Sequence, residues 1–257
     1  MTNVPKLRGI FLPAGPDYRD MADFDVFNPF YDIPVSVDLV GAWFLSTQIN
    51  NPLNNHADLT KPLLKVGNPV VGAKGASCSD GNYFNTGIPV GTSMASSPAV
   101  TLITVSRNPS TTVDAWVFSN YTGNNGVSSD SILMRKDNQV ESYTSSGSGL
   151  ASAVVSRAGA GAATDRAVTV SAFGPGVLDS SVYNPTTDSL TTGSRTGITR
   201  NINTPTNYAI GVRPGMTGNG QSEVSVVLAY KSRLSAGDQL RVARYLRTQF
   251  GTRYNLW

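Results

Sequence analysis

Histidine, cysteine and glutamate are scarce in this sequence, and each shortage narrows the chemistry open to the chain. His56 is the only histidine, Cys78 is the only cysteine, and the only glutamates are Glu141 and Glu223. A lone cysteine can form neither an intrachain disulfide nor a structural zinc site. Catalysis by a histidine base could depend only on His56. This residue lies in the polar stretch 54–58, which predicts a surface loop.

Charge and long apolar runs are also sparse. Charged residues make up 14% of the chain, and the net charge of +3 does not by itself indicate a nucleic-acid partner. No apolar run approaches the roughly eighteen residues of a transmembrane helix, so we expect no membrane insertion. The first residues lack the apolar centre of a secretory signal. The chain is therefore expected to be made in the cytoplasm without a signal peptide.

Short β-forming runs separated by turn residues dominate the remainder of the sequence. Residues 174–207 are polar and rich in turn residues, so no strand is predicted there. Many short strands followed by one late helix predict an all-β, two-sheet antiparallel sandwich. The main predicted strands are 40–45, 99–107, 115–120, 131–135, 140–144, 151–157, 167–173, 208–212 and 223–230.

The stretch 222–251 predicts a strand followed by the one helix of substantial length. Residues 223–230 are β-branched and apolar, as in a buried strand. Ser235 is a good N-cap with Asp238 three residues later, and we expect a helix over 236–250 that ends at Gly251. The predicted apolar face of the helix consists of Val242, Ala243, Leu246 and Phe250.

The first 36 residues predict an extended N-terminal docking arm, with the sandwich domain over 37–257. Five prolines exclude a long helix or a central strand in this segment. Disordered linkers are poor in aromatic residues, so the aromatic side chains here predict anchors that bind another surface. The expected anchors are Phe11, Tyr18, Phe24, Phe27, Phe30 and Tyr31. Six aspartates lie in 1–40 and six Lys or Arg residues in 231–257, which suits either two solvated faces or complementary surfaces in an assembly.

Several short motifs resemble concanavalin A-like (laminin-G-like) jelly-roll domains. At the C-terminal end, the last predicted strand and its turn are followed by Leu234-Ser235, then by Tyr245-Leu246 and Phe250-Gly251. Upstream, the segment 79–87, SDGNYFNTG, resembles a hairpin of that family. Trp43 lies where such domains often begin with a Trp-bearing strand. The resemblance covers roughly residues 38–251. It implies a jelly-roll sandwich with one short C-terminal helix, of a kind common in bacteriophage tail and virion proteins.

Two resemblances to enzymes fail on their chemical requirements. The segment 91–96, GTSMAS, resembles the nucleophile segment of subtilisin-like proteases, but Ser93 precedes a β-forming run instead of a helix. The sequence around His56 also lacks the Gly-Thr that follows the catalytic histidine in that family, so we expect Ser93 to be inert. Glucanases of this fold carry Glu-x-Asp-x-Glu on one strand, and neither glutamate here belongs to such a triplet. We expect no catalytic residues, no metal and no cofactor.

Binding and assembly are the functions that these observations leave. Two polar loops carry an aromatic residue beside amide or acidic groups, as sugar sites do, and each also suits an ordinary surface loop. Their residues are Tyr121, Asn124 and Asn125 in one loop, and Tyr183, Asn184 and Asp188 in the other.

The sequence thus predicts a non-enzymatic bacteriophage virion structural protein associated with the tail or a tail fibre. Its arm would bind other virion proteins, it would form a homo-oligomer, and its lectin-like domain would serve assembly and binding of host-surface carbohydrate. The alternatives are a capsid decoration protein of the same build, a glycan-binding lectin, and a hydrolase (a glycosidase or a serine protease).

Overall fold

A computed structural model describes residues 32–89, 99–122, 130–146, 149–200 and 206–257. All six predicted arm anchors, together with Ser93, Asn124 and Asn125, lie outside these ranges. Over the described residues the chain forms two antiparallel sheets and one C-terminal helical segment, which confirms the predicted all-β sandwich. No helix among these residues has the length and apolar character needed to cross a membrane.

The larger sheet has eight strands, of which seven follow the order β13-β12-β11-β6-β15-β4-β3, and the eighth, β1, pairs with β15 beside β4. Its strands are β1 (Leu39–Phe44), β3 (Val70–Gly72), β4 (Gly75–Cys78), β6 (Val100–Arg107), β11 (Ala167–Gly174), β12 (Gly176–Asn184), β13 (Ser189–Ile198) and β15 (Ser222–Tyr230).

The smaller sheet has seven strands in the order β10-β9-β8-β7-β14-β5-β2. They are β2 (Leu64–Val66), β5 (Tyr83–Pro89), β7 (Ala115–Ser119), β8 (Asp130–Met134), β9 (Gln139–Ser146), β10 (Gly149–Ser156) and β14 (Asn207–Ile210).

Alternating side chains give the larger sheet two apolar faces. In β1, Trp43 points into the core between the sheets, where its ring centroid lies 6.3 Å from that of Phe118. Its neighbour Phe44 belongs instead to the cluster between the larger sheet and the C-terminal helix. The helix thus covers the outer face of the larger sheet, as a third layer.

The C-terminal helical segment begins as predicted but ends later. Helix α1 (Ala236–Tyr245) starts at Ser235, whose side chain accepts a hydrogen bond from the backbone of Asp238. A π-helical turn (Leu246–Phe250) and the short α2 (Gly251–Arg253) continue it. The prediction that Gly251 ends the helix is therefore wrong, since its φ of −65° is helical. The predicted burial of Leu246 and Phe250 is confirmed.

Three further predictions need correction. Residues 176–198, expected to lack strands, form the paired strands β12 and β13 at the edge of the larger sheet. The turn at 79–82 forms with reciprocal backbone hydrogen bonds of 2.9 Å, but the strands it joins, β4 and β5, belong to different sheets. His56, predicted to lie in a surface loop, is half-buried with its ring centroid 5.4 Å from that of Phe44. The reason is that its loop packs against the outer cluster, which is the apolar cluster between the larger sheet and the C-terminal helix.

The described part of the predicted arm lies against the sandwich. Ile33 is buried in the cluster beneath the helix, and the backbone carbonyl of Val35 accepts a hydrogen bond of 3.0 Å from the Tyr230 hydroxyl. The docking role predicted for residues 1–36 stays a prediction.

Candidate functional site

The outer face of the larger sheet changes from apolar to charged at one end, beyond the cluster that the helix covers. Ile103 and Val105 in β6 belong to the outer cluster, and the same alternation places Arg107 on this face. In β15, Glu223 is the direct cross-strand partner of Arg107. Arg166 immediately precedes β11 and reaches the same carboxylate. These three side chains form the floor of a groove.

Glu223 holds the two guanidinium groups of the floor together. Its Oε1 accepts a hydrogen bond of 2.6 Å from Arg107 Nη2, and its Oε2 accepts 2.8 Å bonds from Arg107 Nε and Arg166 Nη2. Arg166 also donates from Nε to the Ser225 hydroxyl at 3.0 Å. The side chain of Arg166 is only 7% exposed, whereas that of Arg107 is 36% exposed. Arg107 is thus the floor cation that solvent and ligands can reach.

The ion pairs and the burial of the floor shift the pKa values of its three side chains. Hydrogen bonding from Arg107 is the main cause that lowers the pKa of Glu223, so the carboxylate is ionised over the physiological pH range. The bond to Glu223 raises the pKa of Arg107. Burial lowers the pKa of Arg166, and the charge of Glu223 opposes that effect. The floor is therefore a fixed ionic cluster with one excess positive charge.

One wall of the groove is built by the end of the helical segment. Trp257 is half-buried, and the Arg247 guanidinium carbon lies 3.9 Å from the centroid of its ring. The indole nitrogen donates a 2.9 Å hydrogen bond to the carbonyl of Arg247. Lys74, from the turn between β3 and β4, donates to the carbonyl of Trp257 at 3.4 Å. A flat apolar surface and two cationic groups thus stand above the charged floor.

The opposite wall is the loop between β10 and β11. The fully buried Arg157 holds this loop by donating to the carbonyls of Ala163 and Asp165, the latter at 2.6 Å. Gly159 approaches the β12–β13 turn so closely that an added Cβ would lie 2.3 Å from Asn184 Nδ2. That contact places Pro185, the next residue of the turn, in the wall of the groove.

The complete groove has a volume of about 670 Å³, within the usual range of small-ligand sites. Four cationic side chains face two carboxylates, which leaves an excess of two positive charges. The lining is Lys74, Arg107, Gly159, Ala160, Gly161, Asp165, Arg166, Pro185, Glu223, Arg247, Leu256 and Trp257. Within the described residues, no group of three or more His, Cys, Asp or Glu side chains could hold a metal ion.

Among the described residues, the two predicted sugar-binding loops lie on different sheets, and only Tyr183 and Asp188 of one loop contact each other. The Tyr183 ring is buried in the cluster under the helix, and its hydroxyl donates a 2.7 Å hydrogen bond to Asp188, which also pairs with Arg244. Tyr121 is 9% exposed and packs near Trp116 on the outer side of the other sheet. Glycan binding by these residues stays a prediction.

Asn184 makes a turn instead of presenting a free amide, since its Oδ1 accepts a 2.9 Å hydrogen bond from the backbone of Thr186. It nevertheless borders the groove, through its contact with Gly159 and through Pro185. One predicted loop therefore adjoins the groove, although the groove itself was not predicted.

Sequence reasoning missed most of the groove because its residues come from distant segments. Arg107 and Glu223 are 116 positions apart and meet only through the pairing of β6 with β15. The surplus of Lys and Arg in 231–257 was the one available signal, and it includes Arg247. Nothing local indicated that Trp257 would face these cations.

The fold defines the class of this chain as an all-β, two-sheet antiparallel sandwich. No protein-family description and no curated protein sequence matches it. Solved structures with this fold include a botulinum neurotoxin serotype D binding domain, with a TM-score of 0.58 at 10% identity. A botulinum neurotoxin DC binding domain "in complex with SialylT" has a TM-score of 0.60 at 9% sequence identity. Trypanosoma rangeli sialidase has a TM-score of 0.56 at 15% identity.

The structural alignments cover most of the present chain but only part of each of the matched chains. It covers 82–84% of the present chain, but 52% of each of the two toxin domains and 34% of the sialidase. The chain thus spans about half the length of the toxin domains it matches. At such low identities the similarity establishes the shared sandwich fold alone.

Proposed function

We propose that this chain is a non-enzymatic, lectin-like domain that binds carbohydrate at a host surface through the groove described above. The observation that carries this proposal is the juxtaposition of Trp257 with fixed charged groups. Sugar rings have apolar faces that pack on aromatic side chains, and hydroxyl groups that need donors and acceptors held in place. The groove supplies both, with Arg107 and Glu223 locked by their ion pair.

The structural comparisons support the choice of ligand class. The toxin binding domain that was solved in complex with SialylT has the same sandwich fold. Because that likeness concerns the fold, the extension to a carbohydrate ligand of this chain is our proposal. Its specific basis is the groove.

The same groove favours binding over hydrolysis. A glycosidase acid must hold a proton near the working pH, and a nucleophile must reach the sugar. Glu223 has a lowered pKa, so it does not suit the acid role, and both of its oxygens are bound by guanidinium groups, so it does not suit the nucleophile role. Asp165 accepts a 2.8 Å hydrogen bond from the backbone of Ala162, which orients its carboxylate toward its own loop.

A glycan array tests this function directly. The intact chain should bind a defined subset of the oligosaccharides, and Trp257→Ala should lose that binding while it keeps the same thermal unfolding midpoint within a few degrees. Val154→Ala is the matched control, since Val154 is an exposed apolar residue on β10, outside the groove. Absence of binding to every glycan would refute the proposal, and release of shortened oligosaccharides would show that the chain is an enzyme.

We further propose that the domain belongs to a bacteriophage particle, in the tail or a tail fibre, and that residues 1–36 attach it to other virion proteins. The support is compositional: this segment combines five prolines with six aromatic anchors, which suits an interface better than a sheet. A capsid decoration protein of the same build is the alternative location. In either position the chain would assemble as a homo-oligomer.

Two truncations test the assembly role. Deleting 1–31 should leave a folded β domain that no longer enters particles. Deleting 1–36 should in addition lower the unfolding midpoint, because it removes the buried Ile33 and the Val35 carbonyl that Tyr230 binds. Normal incorporation of the shorter truncation would contradict the docking role, and labelling the particles would distinguish tail from capsid.

A further inference from the structure

We propose that the ligand of the groove is an acidic saccharide whose carboxylate group binds Arg107, with Lys74 and Arg247 beside it. This inference rests on the proposed carbohydrate-binding function and specifies its ligand class. In the groove, four cationic side chains face two carboxylate side chains, which leaves an excess of positive charge. A neutral sugar would leave that excess charge uncompensated, whereas a carboxylate would offset part of it.

The cations of the groove differ in how completely they are engaged. Arg166 is almost fully buried, and its Nε and Nη2 are bound by Ser225 and Glu223. Arg107 uses Nε and Nη2 for Glu223, and its Nη1 makes no hydrogen bond to the described residues. Since its side chain is 36% exposed, the outer edge of Arg107 remains available. A guanidinium edge of this kind is well shaped for a carboxylate.

Two further cations, Lys74 and Arg247, stand at the rim and form no salt bridge with an Asp or Glu side chain among the described residues. Lys74 has only its 3.4 Å bond to the carbonyl of Trp257. Arg247 is stacked on Trp257, and burial lowers the pKa of its guanidinium, an effect that the charge of Asp165 opposes only in part. An anion bound between Arg107 and these two groups would oppose that effect further.

The neighbouring indole and the size of the groove distinguish a sugar acid from a simple anion. Trp257 is half-buried beside Arg247, so a ligand held by the cations would also contact an apolar wall. A cavity of about 670 Å³ would be mostly empty around an inorganic ion but suits one or two sugar rings.

Ligand pairs test this inference on the unaltered protein. Oligosaccharides that end in sialic or uronic acid are titrated beside their carboxyl-reduced derivatives and beside sulfated analogues. The acid forms should bind roughly tenfold or more tightly than the reduced forms, as expected for losing a hydrogen bond to a charged group. Raising the salt from about 0.05 M to about 0.5 M should narrow that difference, because exposed charges are screened.

Substitutions then locate the carboxylate. Arg107→Lys keeps the charge but loses the planar guanidinium, and Arg107→Gln loses both. The ratio of the affinity for the acid form to that for the carboxyl-reduced form should therefore fall in Arg107→Lys and fall further in Arg107→Gln. Arg195→Gln is the control, since Arg195 is an exposed arginine on β13, outside the groove. Thermal unfolding of each variant verifies that the fold is retained.

The outcomes separate the two proposals. Equal binding of acid and carboxyl-reduced forms would overturn the acidic ligand and leave carbohydrate binding intact. Preferential binding of the sulfated analogues would also overturn it, in favour of a sulfate ester. Failure of every saccharide to bind would overturn both proposals.

Discussion

Gly251 packs directly against the indole of Trp257, and a Cβ built on Gly251 would stand 2.2 Å from the indole nitrogen. The glycine has a helical φ of −65°, so no unusual backbone geometry requires it. Its role is to let Trp257 pack against the helical segment, in the position from which the indole forms a wall of the groove.

Gly251→Ala should therefore reduce glycan affinity more than it reduces stability. The added methyl group must displace the indole, while the helix gains from alanine up to about 1 kcal/mol that offsets the strain. Gly237→Ala is the matched control, because its Cβ would meet nothing closer than the Ser235 hydroxyl at 3.9 Å. Calorimetric titration and urea unfolding measure the two effects, and an unchanged affinity in Gly251→Ala would show that the position of Trp257 does not matter for binding.

Phe250→Ala should lower the free energy of unfolding by roughly 3 kcal/mol, as for other large aromatic side chains lost from a core. The Phe250 ring is 1% exposed, with its centroid 5.1 Å from that of Phe44 and 4.8 Å from that of Tyr254. Arg241→Ala, on the exposed face of the same helix, should change stability by less than about 0.5 kcal/mol. Equal denaturation curves for both variants would mean that the helix does not stabilise the sandwich.

Glu223→Gln should destabilise the protein most at neutral pH. The folded-state pKa of Glu223 is lowered below its ordinary value of 4.5, chiefly by hydrogen bonding to Arg107. The stabilisation from this carboxylate is therefore present above about pH 4.5 and is lost as the pH falls through the lowered pKa. The difference in unfolding free energy between wild type and variant should shrink between pH 7 and pH 3.

Urea unfolding at several pH values checks this dependence. Because Glu223 shares its charge with Arg107 and Arg166, high salt should also narrow the difference at pH 7. A gap that stays constant across the pH range would show that the ion cluster contributes no pH-dependent stability.

His56 should titrate below its ordinary pKa of 6.5, because burial disfavours the charged imidazolium. Its Nε2 is buried without a hydrogen-bond partner among the described residues, next to the ring of Phe44. The unfolded chain then binds the proton more readily, so stability should fall as the pH drops below about 6.5.

Proton NMR can follow this titration without ambiguity, since the sequence contains a single histidine. His56→Phe keeps a ring of similar shape and should reduce the pH dependence of unfolding between pH 7.5 and pH 5. A midpoint at or above 6.5 would contradict the burial argument.

The amino-acid sequence determined the local elements whose signals lie among near neighbours. The apolar run in β15, the Ser235 cap and the apolar face with Leu246 and Phe250 all depend on residues within a few positions of one another. These features predicted the class of fold together with the helix that covers it. Strand β13 was missed because it lies at a sheet edge and is largely exposed, so it lacks the alternation that marks a half-buried strand.

Only the tertiary structure decided where the groove lies. Its floor requires the register that sets Arg107 opposite Glu223, and its walls require Trp257 and the loop held by Arg157 to reach the same end of the sheet. None of these residues carries a local pattern that reveals its partner, because charged side chains at strand ends look alike whether they are solvated or paired. The sequence therefore specified the sandwich through short-range periodicity, whereas long-range strand pairing brought the candidate site together.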